Sequence, residues 1–242
     1  AAAGLACGVV REGLVSMTIG TSGVVFAQSD TPPGDPAGIL HGFCHAVRDR
    51  WHVMGCMLSA GGCLEWWRNV IGRHDGAAGF DELVSEASHL SPGAEGLCFL
   101  PYLNGERTPH DDPRARGAFI GLAGRHDHRH MTRAVLEGIS FGLADMLDLL
   151  RDAGHAVDSI RVAGGAARSE TWLQMLADVL QARVETVNEP DASAFGAAML
   201  ASIGVGAVPD AQAAADTLVH VTGTCEPGER CFKQARSTWK TL

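Results

Sequence analysis

Leu14-Val15-Ser16-Met17-Thr18-Ile19-Gly20-Thr21-Ser22-Gly23-Val24-Val25-Phe26-Ala27 is the stretch whose reading decides the fold. Two runs rich in β-branched and apolar residues, Leu14–Ile19 and Val24–Ala27, flank a short turn bounded by glycines, which is a β-hairpin signal. The turn has chemistry of its own. Its glycines leave backbone N–H groups free of Cβ crowding, and the Thr21 and Ser22 hydroxyls add donors. Gly20-Thr21-Ser22-Gly23 therefore suits a phosphate cradle as well as an ordinary hairpin turn.

Outward from the hairpin, residues 30–38, with Pro32, Pro33, Gly34, Pro36 and Gly38, read as a loop. A strand follows over Trp51–Met57, then a helix over Gly61–Ile71 with Leu64, Trp67 and Ile71 at helical spacing. A second helix is predicted over Gly79–Ala87, strands over Leu97–Leu100 and Gly117–Leu122, and a long loop from Pro101 to Gly117. A loop of that length in a compact domain is either functional or disordered. The clearest helix, Met131–Ala153, carries Val135, Ile139, Leu143, Met146 and Leu150 on one stripe. Strand Ser159–Ala163, a helix from Ser169, strand Arg183–Val187 and an alanine-rich helix over Ala192–Ile203 complete the pattern, and the tail reads as helical and polar. Strands followed by alternating helix and strand predict an α/β domain, a mixed sheet flanked by helices, over residues 1–242.

Composition narrows the function. Of 242 residues 46% are hydrophobic and 19% charged, enough to bury a core. The 19 basic side chains against 28 acidic ones give a net charge of −9, which argues against nucleic acid and anionic membrane as partners. No apolar run reaches the roughly 18 residues of a membrane-spanning helix. The 7 cysteines are scattered, odd in number and without a C-x-x-C pair, so neither a disulfide framework nor a zinc site is written; free thiols fit a reducing cytoplasm. Ala1 to Cys7 is superficially like a signal peptide but has no basic region before it, and a start at alanine reads as an internal position of a longer chain.

Other segments carry candidate chemistry. In Arg161-Val162-Ala163-Gly164-Gly165-Ala166-Ala167-Arg168-Ser169 a strand ends in two glycines and a helix starts with Ser169 as N-cap. Open α/β sheets bind ligands at such strand ends, where glycine admits a flat ring or a phosphate to the backbone; a simple connection needing small residues reads equally well. Neither the G-x-x-x-x-G-K-[ST] nor the G-x-G-x-x-G spacing occurs, which removes the P-loop and the dinucleotide fingerprint. The loop 101–117 is dense in polar groups, with a solvated loop as its plain reading. Arg125-His126-Asp127-His128-Arg129-His130 alternates three histidines, but at the start of a helix they read as a solvated entry loop before a metal site. Glu65 and Glu137 fall in predicted helices and read as surface or capping carboxylates.

Five stretches, taken together, resemble the C-terminal half of the FGGY family of carbohydrate kinases, most closely its xylulokinase branch. They are Ile19–Val24, Trp51–Ala60, Phe99-Leu100-Pro101-Tyr102-Leu103-Asn104-Gly105-Glu106-Arg107-Thr108-Pro109, Ala134–Ile139 and Gly164–Ser169, in the family's order and within residues 1 to about 205. The resemblance implies an actin-like, ribonuclease H-like ATPase domain that helps transfer the γ-phosphoryl group of ATP, with Mg²⁺, to a sugar hydroxyl. D-xylulose is the implied acceptor; another ketose or polyol, or a non-catalytic nucleotide-binding module, are the alternatives. Carried over residue by residue, Gly20, Thr21 and Ser22 would meet the terminal phosphates. Gly61 and Glu65 would line the nucleotide side, and Gly164, Gly165 and Ser169 the adenosine. The family's general base is an aspartate in Gly-Asp-x-Ala-Ala-Gly. Ala2-Ala3-Gly4 matches the end of that stretch, placing the aspartate just before Ala1 and leaving this chain without a catalytic residue of its own. Sugar contacts and much of the Mg²⁺ environment would come from an N-terminal domain outside these residues, and an apolar face left by that domain would favour a homodimer.

Overall fold

The computed structural model describes residues 1–34, 38–72, 79–189 and 191–242. Residues 35–37 of the loop expected over 30–38 lie outside that set. A seven-stranded sheet organises the chain in the order β3-β4-β2-β1-β7-β8-β9. Its members are β1 (Gly13–Ile19), β2 (Gly23–Ser29), β3 (His41–Cys44), β4 (Trp51–Met57), β7 (Val157–Gly164), β8 (Arg183–Val187) and β9 (Val221–Cys225). A separate pair, β5 (Cys98–Leu100) and β6 (Ala118–Ile120), is antiparallel.

The sheet is mixed, as the alternation of elements predicts. β1 pairs antiparallel with β2 and parallel with β7, while β2 pairs antiparallel with β4. β1, β4 and β7 therefore point the same way and end together. The register makes that end explicit: Met57 lies opposite Gly23, Gly23 opposite Ile19, and Ile19 opposite Gly164.

Helices cover both faces: α1 (Ala2–Ala6), α2 (Gly61–Val70), α3 (Phe80–Ser88), α4 (His128–Asp152), α5 (Glu170–Leu180), α6 (Ala192–Gly204), α7 (Ala211–Leu218) and α8 (Lys233–Trp239). The expected α4 stripe is fully buried and packs with Val15, Met17, Val25 and Val53 of the sheet in the main core. α1 lies on the opposite face with Phe26 and Ala163. α4 begins at His128, three residues earlier than expected, because Asp127 accepts from the Arg129 and His130 amides and His130 returns the bond as a capping box. The alternating histidines thus serve helix entry; His126 accepts from the Ala123 amide at 3.1 Å. Among the described residues no three His, Cys, Asp or Glu side chains could share a metal ion, and no helix is long and apolar enough to cross a membrane.

Three expectations need correction, and two elements were not expected. The tail is not simply helical and polar: β9 extends the sheet against β8, and Phe232 and Trp239 are buried in the main core. Trp239 reaches back to donate its indole N–H to the Phe99 carbonyl at 2.8 Å, which satisfies the one polar group the ring carries inward. Glu137 is no surface carboxylate. It is buried beside the fully buried Arg133, pairs with that guanidinium and accepts from the Gly93 amide at 2.9 Å, since a charge taken out of water needs such partners. The loop 101–117 is not a solvated connection, because Glu106 and Thr108 are buried. Finally, α1 and β3 carry no periodicity to be read: one is five residues held by packing, where a Cβ on Gly196 of α6 would sit 1.9 Å from the Ala2 carbonyl, and the other is a four-residue edge strand defined by pairing with β4.

Candidate active site at the carboxyl ends of β1 and β7

The hairpin turn is closed by the Gly20 amide donating to the Ser22 carbonyl at 3.0 Å. Its remaining carbonyls face α2. The Thr21 carbonyl accepts from the Ala60 and Gly62 amides at 2.8 and 3.1 Å, and the Gly20 carbonyl from the Gly61 amide at 2.8 Å. Amides at a helix start have no intrahelical acceptor, and here the turn supplies it. The carbonyl side of the turn is thereby fastened to α2 and the amide side is left outward. Among the described residues the Thr21 and Ser22 amides donate to no acceptor, and both residues are exposed. This approach demands glycine: a Cβ on Gly61 would stand 2.6 Å from the Gly20 carbonyl oxygen, and one on Gly62 3.0 Å from that of Thr21.

The two glycines at the end of β7 have different surroundings. Gly164 has φ +86° and crosses so close to β1 that a Cβ would lie 2.5 Å from the Ile19 carbonyl oxygen. A Cβ on Gly165 would find only that oxygen, at 4.0 Å. Gly164 is a packing position; Gly165 borders open space. Ser169 then caps α5, accepting from the Trp172 amide at 3.4 Å.

These elements enclose a cavity of about 400 Å³. Of the residues expected from sequence, Gly20, Thr21, Gly61, Glu65, Gly165 and Ser169 are brought together on its wall, whereas Ser22 and Gly164 stand beside it. Leu64, Val84 and Trp172 give an apolar side. Phe80, Asp81 and Arg168 also line it and were not anticipated. Arg168 lay within the quoted glycine run; Phe80 and Asp81 belong to a helix with no motif, so only the fold brings them here. Phe80 is held under the Arg68 guanidinium, 4.5 Å from its ring centre. A larger groove of about 940 Å³ along α5 and β9 shares Arg168 but has neither the turn nor Gly165 on its wall.

Next to the turn, the loop after β5 completes the edge of β4 where β3 stops. The Thr108 amide donates to the Cys56 carbonyl at 3.0 Å, and the Cys56 amide donates to the Thr108 hydroxyl at 3.1 Å. The Glu106 carboxyl accepts from the Leu58 and Arg107 amides at 3.0 and 2.7 Å. Burial pushes this carboxyl up to about 7, against the opposing pull of those amides.

Residues 15–205 match the model of the FGGY family of carbohydrate kinases, C-terminal domain. The xylulose kinase of Escherichia coli (strain K12) is 42% identical over 204 residues, 84% of this chain and 41% of that protein. The gluconokinase of Bacillus subtilis (strain 168) is 34% identical over 242 residues, 96% of this chain and 47% of its own length. A solved xyloylose kinase from Brucella ovis superposes with a TM-score of 0.88 at 35% identity, covering 100% of this chain and 49% of that one. The chain thus spans about half the length of the relatives it matches, and its sheet and flanking helices have the actin-like ATPase fold. On the family match and these identities, the chain belongs to the FGGY family of carbohydrate kinases, over the region that corresponds to their C-terminal domain.

Proposed function

We propose that this chain is the nucleotide-binding part of an ATP-dependent sugar kinase, with D-xylulose as acceptor and xylulose 5-phosphate as product. The observation that carries the reading is the meeting, in one cavity, of an outward-facing amide turn, an unobstructed glycine and an apolar wall. The Thr21 and Ser22 amides, with the Thr21 hydroxyl, would receive the terminal phosphates; Gly165 would admit the adenosine to the backbone between Leu64 and Trp172. Ser169, already committed to capping α5, would hold the helix start against the adenosine. Phosphoryl transfer depends on positioning and charge stabilisation, and donors fixed by three hydrogen bonds to α2 suit that task. Mg²⁺ would travel with the phosphates and neutralise the charge that develops between them.

In the reaction the bond from the γ-phosphorus to the bridging oxygen of ATP breaks, ADP leaves, and the sugar hydroxyl oxygen bonds to phosphorus while its proton passes to a base. We place the protein in the cytoplasm, since all seven cysteines are free. Its choice between D-xylulose and another acceptor such as gluconate rests on parts of the relatives that this chain does not match. A calorimetric titration of the chain with MgATP, beside Thr21→Ala and Ser169→Ala, tests the reading. Binding weakened by both substitutions is expected; no binding, or binding indifferent to both, overturns it.

A further inference from the structure

Glu106 is a buried carboxyl that the proposed chemistry does not use, yet it is two steps from the phosphate turn. One of its oxygens accepts from the Leu58 amide, and Asn104 of the same loop donates to the Ser59 hydroxyl at 3.0 Å. The next residue, Ala60, donates its amide to the Thr21 carbonyl. Leu58–Ala60 is thus gripped from the loop on one side and grips the turn on the other. We infer that Glu106 is a positioning residue for the nucleotide site, setting the phosphate turn through Leu58–Ala60. The inference rests on the nucleotide reading of the cavity, but its mechanical part can be measured without nucleotide.

Three features support it. The grip is made of backbone amides on a carboxyl, a charge-assisted bond about twice as strong as a neutral one when the carboxyl is ionised. The position is rigid, because Glu106 is 2% exposed and its own amide and carbonyl exchange hydrogen bonds with Asp112 at 3.0 and 2.9 Å. And the carboxyl, raised to about 7, changes charge near neutrality. The titratable groups facing it do not. Burial first, with Glu106 adding to it, pushes Cys63 of α2 up to about 12 and raises Cys56 of β4; burial, then Asp145 and Glu106, raises Tyr102 of the loop. The remaining neighbour, Arg107, turns its guanidinium to Asp111 at 2.8 Å. His110 of the same loop bonds the Tyr102 hydroxyl at 2.9 Å, so a pH response in Leu58–Ala60 between about pH 6 and pH 8 belongs to Glu106 where Glu106→Gln abolishes it.

The test uses the 242-residue chain, amide exchange and NMR without nucleotide, and then MgATP binding. In wild type the Leu58 and Ala60 amide resonances move with a midpoint near 7; in Glu106→Gln they do not. In Glu106→Ala the Ala60 amide exchanges about tenfold faster while Val162 in the centre of β7 keeps its protection, and MgATP binds about tenfold more weakly. The inference is overturned if the wild-type resonances stay still, if they still titrate in Glu106→Gln, or if a folded Glu106→Ala keeps both its Ala60 protection and its affinity. Should Glu106→Ala not fold, the Glu106→Gln comparison decides alone. A wild-type chain that binds no MgATP overturns the nucleotide reading and leaves the exchange and titration results to judge Glu106 separately.

Discussion

Gly164 and Gly165 are adjacent, yet replacing each by alanine should produce opposite defects. At Gly164 the added Cβ would meet the Ile19 carbonyl oxygen at 2.5 Å and its carbon at 2.9 Å, both in the backbone of a central strand. Relief requires one strand to move by close to an ångström, straining the parallel β1–β7 pairing at its last registered position. The left-handed φ adds about 1–2 kcal/mol for a residue with a Cβ, and each weakened ladder bond about 1 kcal/mol. A total near 3 kcal/mol lowers Tm by roughly 6–12 °C in a domain of this size. At Gly165 the same methyl meets nothing nearer than 4.0 Å, so Tm should stay within about 2 °C of wild type, on the scale of a neutral surface substitution. The methyl would, however, occupy cavity space at the wall where the adenosine is proposed to lie, and MgATP affinity should fall by about tenfold, near 1.4 kcal/mol. Thermal unfolding by circular dichroism and calorimetric MgATP titration, run on both variants, separate the effects. If Gly165→Ala melts as early as Gly164→Ala, or binds MgATP like wild type, the division of these glycines into a packing and a ligand position is wrong.

Three further outcomes follow from the packing. Glu137→Ala leaves the fully buried Arg133 without its carboxylate and should cost about 3–5 kcal/mol in urea unfolding, against far less for the double change Arg133→Met with Glu137→Leu. Trp239→Ala should cost about 3–5 kcal/mol in the same assay, because the tail ring is core and not surface; a loss under about 1 kcal/mol would contradict that placement. Burial above all lowers His45 and His52 to about 4 from an ordinary 6.5, with the charge of His52 adding to it at His45 and that of the Ala1 ammonium at both. Their contribution to stability is therefore complete above pH 6.5 and lost as pH falls toward 4. The urea midpoint should drop over that interval, and His52→Phe, which keeps a ring against Phe26, should flatten the drop; an unchanged slope would count against it.

What the sequence made legible was local. The hairpin, the α4 stripe and the capping serine of α5 each depend on residues within a few positions, so propensity and period express them. What it hid depends on partners far along the chain. Glu106 meets Leu58 across 48 positions, Glu137 meets Gly93 across 44, and Trp239 meets Phe99 across 140. A glutamate in a polar loop or on a long helix has no sequence mark that its partner amide is buried with it, so it reads as solvated until the fold supplies the amide. The same limit applies inside the site. Glycine at 61, 164 and 165 looks alike in sequence, as small residues at the edge of a turn or strand. The structure separates them by what a Cβ would touch: the Gly20 carbonyl, the Ile19 carbonyl, and open cavity. Two of the three are needed to bring backbone to backbone, and at Gly61 that approach fastens the carbonyl side of the hairpin turn to α2. The glycines that build the site and the glycine proposed to receive a ligand thus obey different physics, and only the second should change affinity without changing stability.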